Sequence, residues 1–368
     1  MTTGTIEPMA SKVYLHVGAP KTGTTYLQDR LARNAASLAR HGVHYPAGQP
    51  LGDPSLFQFR AAVDLLGKEW RGPGEKSAGR WERLAKRVRA SKGTVVVSHE
   101  LLVTASAEKI AQAKRDLVGP GTELHVVYSA RDLARQVPAA WQESVKQGQV
   151  WSYRRFCNRL QRRAGWFGKA FDLPAVLGAW GEGLPPEQVH VLTVPQSRQG
   201  DELWHRFCRL VGADPAWAPR DTDRVNPSLG AVEVAMLRRL NWRLDRRSQA
   251  GAYDYLVREL MAERELAGRA VRPVRLPERM RPWVEEETER WIAWIEESGV
   301  DVVGDLDELR PLPAPDEPFF DPDKPGAKAQ LIAALDALAA ITQEAERRPD
   351  PDRQLVAKVR RRLQERFG

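Results

Sequence analysis

Short apolar runs along the chain alternate with stretches in which apolar residues recur every three or four positions. The runs, which are rich in β-branched residues, are Val13–Val17, Thr94–Val97, Leu124–Tyr128 and Val189–Val194. They lack the regular polar alternation of a strand with one solvated face, which predicts strands buried on both sides. Between them, spacings such as Leu27, Leu31 and Leu38 predict helices with one buried face. Strands that alternate with helices predict an α/β fold with three layers, in which helices flank a central parallel sheet.

The same periodicity predicts where the helices lie. These helices are Tyr26–Arg40, Ser55–Leu66, Lys76–Ala90, Ala107–Val118, Leu133–Gly148, Leu229–Leu244, Ala327–Ala345 and Asp352–Phe367. A short strand is expected at Val43–Tyr45.

Composition changes towards the end of the chain, and this change predicts the domain boundaries. We expect a flexible N-terminus over residues 1–11 and one α/β domain over residues 12–310. The proline-rich stretch 311–326 predicts a stiff connector to a C-terminal helical extension over residues 327–368. Three uses of that extension stay open, namely packing on the core, pairing with a second copy of the chain, and contact with a membrane surface.

Composition and charge narrow the class of protein. The 368 residues carry a net charge of +8, which favours anionic ligands. The chain has only two cysteines, Cys157 and Cys208, so no disulfide framework is expected. A reducing, cytoplasmic location is therefore the expected one. The sequence has no leader-like apolar segment and no apolar stretch long enough for a membrane span. No nucleic-acid-binding motif is present, so nucleic acid is not an expected partner.

The most informative segment follows the first predicted strand. It reads Gly18-Ala19-Pro20-Lys21-Thr22-Gly23-Thr24-Thr25 and opens a helix. A strand that ends in a glycine-rich turn before a helix forms a phosphate cradle, because backbone N–H groups and the helix N-terminus attract anions. Gly18 and Gly23 keep the GxxxxG spacing of a P-loop, and Thr25 stands at its Ser/Thr position. The usual lysine position holds Thr24, however, and the lysine lies inside the loop at Lys21, which suits a leaving group other than the terminal phosphate of ATP.

This string resembles the 5′-phosphosulfate loop of sulfotransferases that use 3′-phosphoadenosine 5′-phosphosulfate (PAPS), among them bacterial enzymes. The resemblance implies a P-loop-like sulfotransferase fold and an enzyme with PAPS as co-substrate and no metal. Residues Thr22, Gly23, Thr24 and Thr25 would hold the 5′-phosphate, and Lys21 would neutralise the bridging oxygen as the sulfuryl group leaves. The acceptor would be a hydroxyl or an amine of a carbohydrate, a lipid or a small molecule, attacking in line.

Candidate bases follow the strand Thr94–Val97 as Ser98-His99-Glu100. Sulfuryl transfer needs a base for the acceptor proton, and histidine and glutamate can both serve, glutamate best if burial raises its pKa. The family uses His in its small-molecule branch and Glu in several carbohydrate branches. Its bacterial members end this strand in Ser-x-Glu-Leu, which favours Glu100, with His99 as the alternative. If neither is catalytic, Glu100 or Ser98 would cap the next helix and His99 would pack beneath it.

Arg131 comes shortly after the strand Leu124–Tyr128, where the family has an arginine that holds the 3′-phosphate of PAPS. Its planar, permanently charged group suits bidentate phosphate contacts. The family's partner serine, eight residues later, is replaced by Ala139, and Ser129 or Ser228 are candidate substitutes. The alternative for Arg131 is an ion pair with Asp132 at the start of a helix.

Further polar residues are candidates for the nucleotide pocket. Side chains of the predicted helix Leu133–Gly148 at helical spacing from Arg131 would either line the pocket or form a solvated face; they are Arg135, Gln136, Trp141, Gln142 and Glu143. A later loop contributes Arg224 and Asn226, which precede the predicted helix Leu229–Leu244, as candidate cofactor contacts.

Two other classes of function compete with a sulfotransferase. A non-catalytic nucleotide-binding protein on the same fold is suggested by Ala139. A P-loop phosphotransferase using ATP is disfavoured by Thr24 at the motif's lysine position and by the lack of a clear strand-plus-aspartate partner for Mg²⁺.

Overall fold

A computed structural model describes residues 10–47, 55–68, 78–197, 201–222, 228–244, 253–269, 272–314 and 316–347. Among these residues, the strands are β1 (Ala10–Gly18), β2 (Val43–His44), β3 (Gly93–Ser98), β4 (Glu123–Ala130), β5 (Val189–Thr193) and β6 (Asp301–Val303). They form one sheet in the order β2-β3-β1-β4-β5-β6, and every neighbouring pair is parallel. The α/β fold with a central parallel sheet flanked by helices, predicted from the sequence, is confirmed.

The inner strands are buried on both faces, as their uninterrupted apolar runs predicted. In β4, the seven residues Leu124–Ala130 are all buried, although successive side chains of a strand point to opposite faces. The edge strand β6 was not predicted. It has three residues and pairs only with β5, so it is too short to show a periodic pattern.

Helices connect and follow the strands. They are α1 (Thr24–Arg33), α2 (Ala35–Arg40), α3 (Ser55–Leu65), α4 (Arg80–Arg89), α5 (Ala107–Leu117), α6 (Leu133–Lys146), α7 (Tyr153–Gln161), α8 (Gly165–Ala170), α9 (Leu173–Gly181), α10 (Glu202–Val211), α11 (Ala231–Arg243), the π-helix α12 (Asp254–Leu266), α13 (Arg281–Ser298) and α14 (Ala327–Arg347). The helix predicted at Asp352–Phe367 lies outside the described residues. None of the helices described is both long and apolar enough to cross a bilayer.

The helix predicted as Tyr26–Arg40 is divided into α1 and α2 at Asn34. The side-chain amide of Asn34 donates to the carbonyl of Arg30 at 2.8 Å and to the carbonyl of Arg220 at 2.7 Å. Asparagine side chains that bond to nearby backbone compete with the helical hydrogen-bond ladder, which explains the break.

The chain divides into two compact units. One unit comprises residues 1–143, 152–226 and 275–319, and it contains the whole sheet. The other comprises residues 144–151, 227–274 and 320–368 and contains α11, α12 and α14. The domain boundaries predicted at residues 11, 310 and 326 stay predictions.

Candidate active site at the carboxyl ends of three strands

The predicted site residues follow strands that are neighbours in the sheet. β1 lies in the middle, with β3 on one side and β4 on the other. β2 and β3 lie on one side of β1, and β4, β5 and β6 lie on the other side, so the chain changes direction at β1. Ligands of open α/β sheets bind at the carboxyl ends of the strands beside such a change of direction. The segments 18–25, 98–100 and 129–132 therefore meet at one edge of the sheet.

The segment 18–25, called here the phosphate loop, has an unusual backbone. Lys21 and Gly23 have positive φ angles of 66° and 87°. A Cβ at Gly23 would lie 2.5 Å from Cδ2 of Leu203, a side-chain end that can shift, so the positive φ angle is the stronger reason for a glycine here. The hydroxyl of the fully buried Thr22 donates to the carbonyl of Ala19 at 2.6 Å, and α1 starts at Thr24 directly afterwards.

Residues from β4 and α6 bind the backbone of this loop. Gln136 donates to the carbonyl of Pro20 at 2.7 Å, and Arg131 donates to the carbonyl of Lys21 at 3.0 Å. The backbone N–H groups of residues 21–25 have no hydrogen-bond acceptor within the part of the chain that the structure describes. Loops whose carbonyls are bound and whose N–H groups lack an acceptor favour anions, so this loop is a candidate anion site.

The side chain of Lys21 lies beside a carboxylate. Its Nζ is 3.2 Å from Oε2 of Glu143 on α6, and the two side chains are only 25% and 14% exposed. Of the two descriptions that the sequence left open for α6, a pocket lining and a solvated face, the contacts of Gln136 and Glu143 agree with the first. The spacing of these two residues, seven positions apart on one helix face, was the available signal.

His99 caps the helical turn that follows β3. Its Nδ1 accepts a hydrogen bond from the backbone N–H of Leu101 at 3.1 Å, and its ring lies 5.4 Å from the ring of Phe59. Burial lowers the pKa of His99, so the imidazole is neutral at neutral pH with its proton on Nε2. The capping role that sequence analysis gave to Ser98 or Glu100 thus belongs to His99.

Glu100 keeps contact with solvent, and its side chain is 27% exposed. Burial opposes its ionised form, but His99, its own backbone N–H and the amide of Gln28, at 3.4 Å from Oε2, outweigh that effect and lower the pKa of Glu100. The condition under which the sequence favoured a glutamate base, a pKa raised by burial, is not met, and the carboxyl group of Glu100 is ionised at neutral pH.

Arg131 turns towards the phosphate loop. The alternative, an ion pair between Arg131 and Asp132, is not observed among the described residues. The carboxylate of Asp132 instead accepts hydrogen bonds from the backbone N–H and from the guanidinium of Arg135. Ala139 is half-buried on α6. Ser129, one candidate substitute for the missing serine, is fully buried and bonded to His16, 2.9 Å from its Nε2.

Arg224 and Asn226 lie outside the described residues. The chain just before them is held against α1, because Thr222 donates to Asp29 at 2.7 Å and the backbone N–H of Arg220 donates to Asn34 at 3.1 Å. α1 is the helix that begins in the phosphate loop, so the segment that leads to Arg224 starts beside that helix. The predicted roles of Arg224 and Asn226 stay predictions.

His16 joins three strands beneath the candidate site. Its Nδ1 lies 2.8 Å from the hydroxyl of Ser98 on β3, and its Nε2 lies 2.9 Å from that of Ser129 on β4. Serine hydroxyls donate or accept, so a neutral imidazole is satisfied on both sides. Burial lowers the pKa of His16 to about 4. An added proton would leave a charged ring buried between two hydroxyls.

We expect His16 to make folding stability depend on pH. Its pKa is lower in the folded state than in the unfolded chain, so its contribution is complete above about pH 6.5 and is lost as the pH falls towards 4. The shift corresponds to about 3 kcal/mol of unfolding free energy. Urea unfolding at pH 7.5 and pH 4.5 measures it. A His16→Gln variant should lose much less stability between these pH values than the wild type, and an unchanged difference would contradict the assignment.

Comparisons with known proteins add no relative. No family model matches the chain, and no match was found among curated proteins or among solved structures. The functional argument therefore depends on the residues and on their geometry.

Proposed function

We propose that the protein is a sulfotransferase that moves the sulfuryl group of PAPS to a hydroxyl or an amine of a carbohydrate, a lipid or a small molecule. The observation that carries the proposal is the phosphate loop. Its backbone N–H groups at residues 21–25 have no acceptor among the described residues, and it bears its lysine at Lys21 rather than at the position that ATP-binding loops use.

The residues around the loop suit a ligand with two separate phosphate groups. The N–H groups of residues 21–25 would bind the oxygens of a 5′-phosphate, and Arg131, which already contacts the loop, would bind a 3′-phosphate. PAPS supplies a sulfuryl group activated as a mixed anhydride with phosphate. The ammonium of Lys21 would then stabilise negative charge on the departing phosphate.

Glu100 is the base that fits this arrangement best. Its pKa is lowered, so its carboxylate is ready to accept the proton of an acceptor hydroxyl at neutral pH. His99 is a weaker candidate because the lone pair of its Nδ1 already accepts the N–H of Leu101.

A second candidate function is binding of the nucleotide without transfer. Ala139 favours it, because the hydroxyl that would share the 3′-phosphate with Arg131 is missing from α6. Calorimetric binding of adenosine 3′,5′-bisphosphate (PAP), combined with no transfer from labelled PAPS to any acceptor in a broad panel, would support this alternative.

Nucleotide titrations test the proposed donor. We expect the wild type to bind PAP and not ATP with Mg²⁺. The variant Arg131→Ala should weaken PAP binding by about tenfold or more, the scale of a lost charge-assisted contact. It should weaken the binding of AMP, which lacks the 3′-phosphate, clearly less than that of PAP, because for AMP only the bond from Arg131 to the loop carbonyl of Lys21 is lost. The exposed Arg40 offers a matched control, and Arg40→Ala should bind both nucleotides as the wild type does. Binding of ATP with Mg²⁺ and not PAP would refute the proposal.

A further inference from the structure

We propose that Glu143 is the resident counter-ion of Lys21, and that an anionic ligand must displace it before Lys21 can act. In this role Glu143 is a positioning residue, since it acts through Lys21. The identity of the displacing ligand as PAPS rests on the proposed function. The ion pair itself does not.

Of the groups that form this ion pair, the side chain of Lys21 is the one that can move from Glu143 to a bound anion. The carbonyls of Pro20 and Lys21 are held by Gln136 and Arg131, so the backbone at this point is fixed. The backbone of Glu143 is held as well, because it belongs to α6 two turns after Gln136. The long aliphatic stem of a lysine, by contrast, can move its ammonium between nearby anions.

Glu143 competes with any anionic ligand for the positive charge of Lys21. Both side chains are largely shielded from solvent, so their attraction is screened less than that of a surface pair. Charge on an anion in the phosphate loop would be repelled by Glu143 and attracted by Lys21. Binding is strongest when Lys21 leaves the carboxylate and turns to the anion.

This arrangement lowers the affinity of the loop for every anion, so only a ligand with enough other binding energy occupies it. A small anion such as inorganic phosphate contacts the loop alone and must compete with Glu143 for Lys21. A nucleotide that also engages Arg131 has additional binding energy with which to break the pair. Glu143 therefore keeps the lysine neutralised until a ligand with two anionic ends arrives.

The rate at which Lys21 is chemically labelled reports on its pairing with Glu143, and the measurement needs no nucleotide. Lys21 is acylated with an N-hydroxysuccinimide ester and quantified by mass spectrometry in the wild type, Glu143→Gln, Glu143→Asp and Glu108→Gln. Glu108 is exposed in the first turn of α5, so its variant controls for the loss of one negative charge. We expect acylation of Lys21 to be at least about threefold faster in Glu143→Gln, because the side chain of Lys21 is then no longer held against the carboxylate and reaches the reagent more often. Glu143→Asp and Glu108→Gln should stay near the wild-type rate.

Calorimetry with pyrophosphate and with PAP completes the test. Glu143→Gln should bind both ligands about tenfold more tightly than the wild type, a gain on the scale of removing one nearby like charge. Damage to the fold would weaken binding instead. An unchanged rate of acylation together with unchanged or weaker binding overturns the inference, even where PAP binds the wild type. Tighter pyrophosphate binding without any PAP binding supports the ion-pair role and refutes PAPS as the ligand. A failure of both ligands to bind any variant refutes both proposals.

Discussion

Replacing Lys21 with alanine is expected to lower turnover with PAPS by at least about 100-fold. Removing a single donor that stabilises developing charge in a transition state typically costs 100- to 1,000-fold in rate, or about 2.7–4 kcal/mol. Lys21 is the ammonium of the phosphate loop, and without it the negative charge of Glu143 would remain beside the ligand and repel it. PAP affinity should therefore fall as well. Transfer from labelled PAPS at saturating acceptor measures the rate, and calorimetry measures the affinity.

Two further variants separate charge from structure in this experiment. Lys21→Met keeps most of the aliphatic stem and has the same backbone requirement at φ 66°, so it should be as inactive as Lys21→Ala. Lys92 is exposed in the loop before β3, and Lys92→Ala should turn over normally. If both Lys21 variants retain turnover within about threefold of the wild type, the ammonium has no part in stabilising the leaving group.

The elements that were predicted correctly are those with local signals. The inner strands β1, β3, β4 and β5 follow from apolar runs, and the phosphate loop follows from the order of its own residues. Both depend on neighbours in sequence and hardly on the rest of the fold. β6 lacked such a signal because its three residues show no period, and the break at Asn34 depended on a bond to the distant carbonyl of Arg220.

The residues around the loop were harder to assign because their roles depend on tertiary contacts. His99 and Glu100 are adjacent in sequence, and only the helical turn after β3 decides that the ring of His99 caps Leu101. The pKa of Glu100 is lowered although burial opposes its ionised form, and the amide that helps to lower it comes from Gln28, on another element. Likewise, the pairing of Glu143 with Lys21 depends on the rotational position of α6 beside the loop, which periodicity alone does not determine.

Glu100→Gln is expected to reduce kcat by about 100- to 10,000-fold, the usual contribution of a general base. The change keeps the shape of the side chain and removes its ability to accept a proton. Since the pKa of Glu100 is lowered, the carboxylate stays ionised across neutral pH, and the wild-type rate should decline only at pH values below the usual range of a glutamate. That acidic limb should disappear from the residual activity of the variant. A pH–rate profile of both proteins measures the effect.

His99→Asn is the matched comparison for this prediction. The side-chain oxygen of asparagine can accept the N–H of Leu101 in place of Nδ1, so the cap is kept while the imidazole is removed. With Glu100 as the base, the variant should turn over within a few-fold of the wild type. The opposite result, an inactive His99→Asn and an active Glu100→Gln, would make His99 the base. Its Nδ1 would then have to exchange Leu101 for the acceptor, because that nitrogen carries the only lone pair of the neutral ring that is available to take a proton.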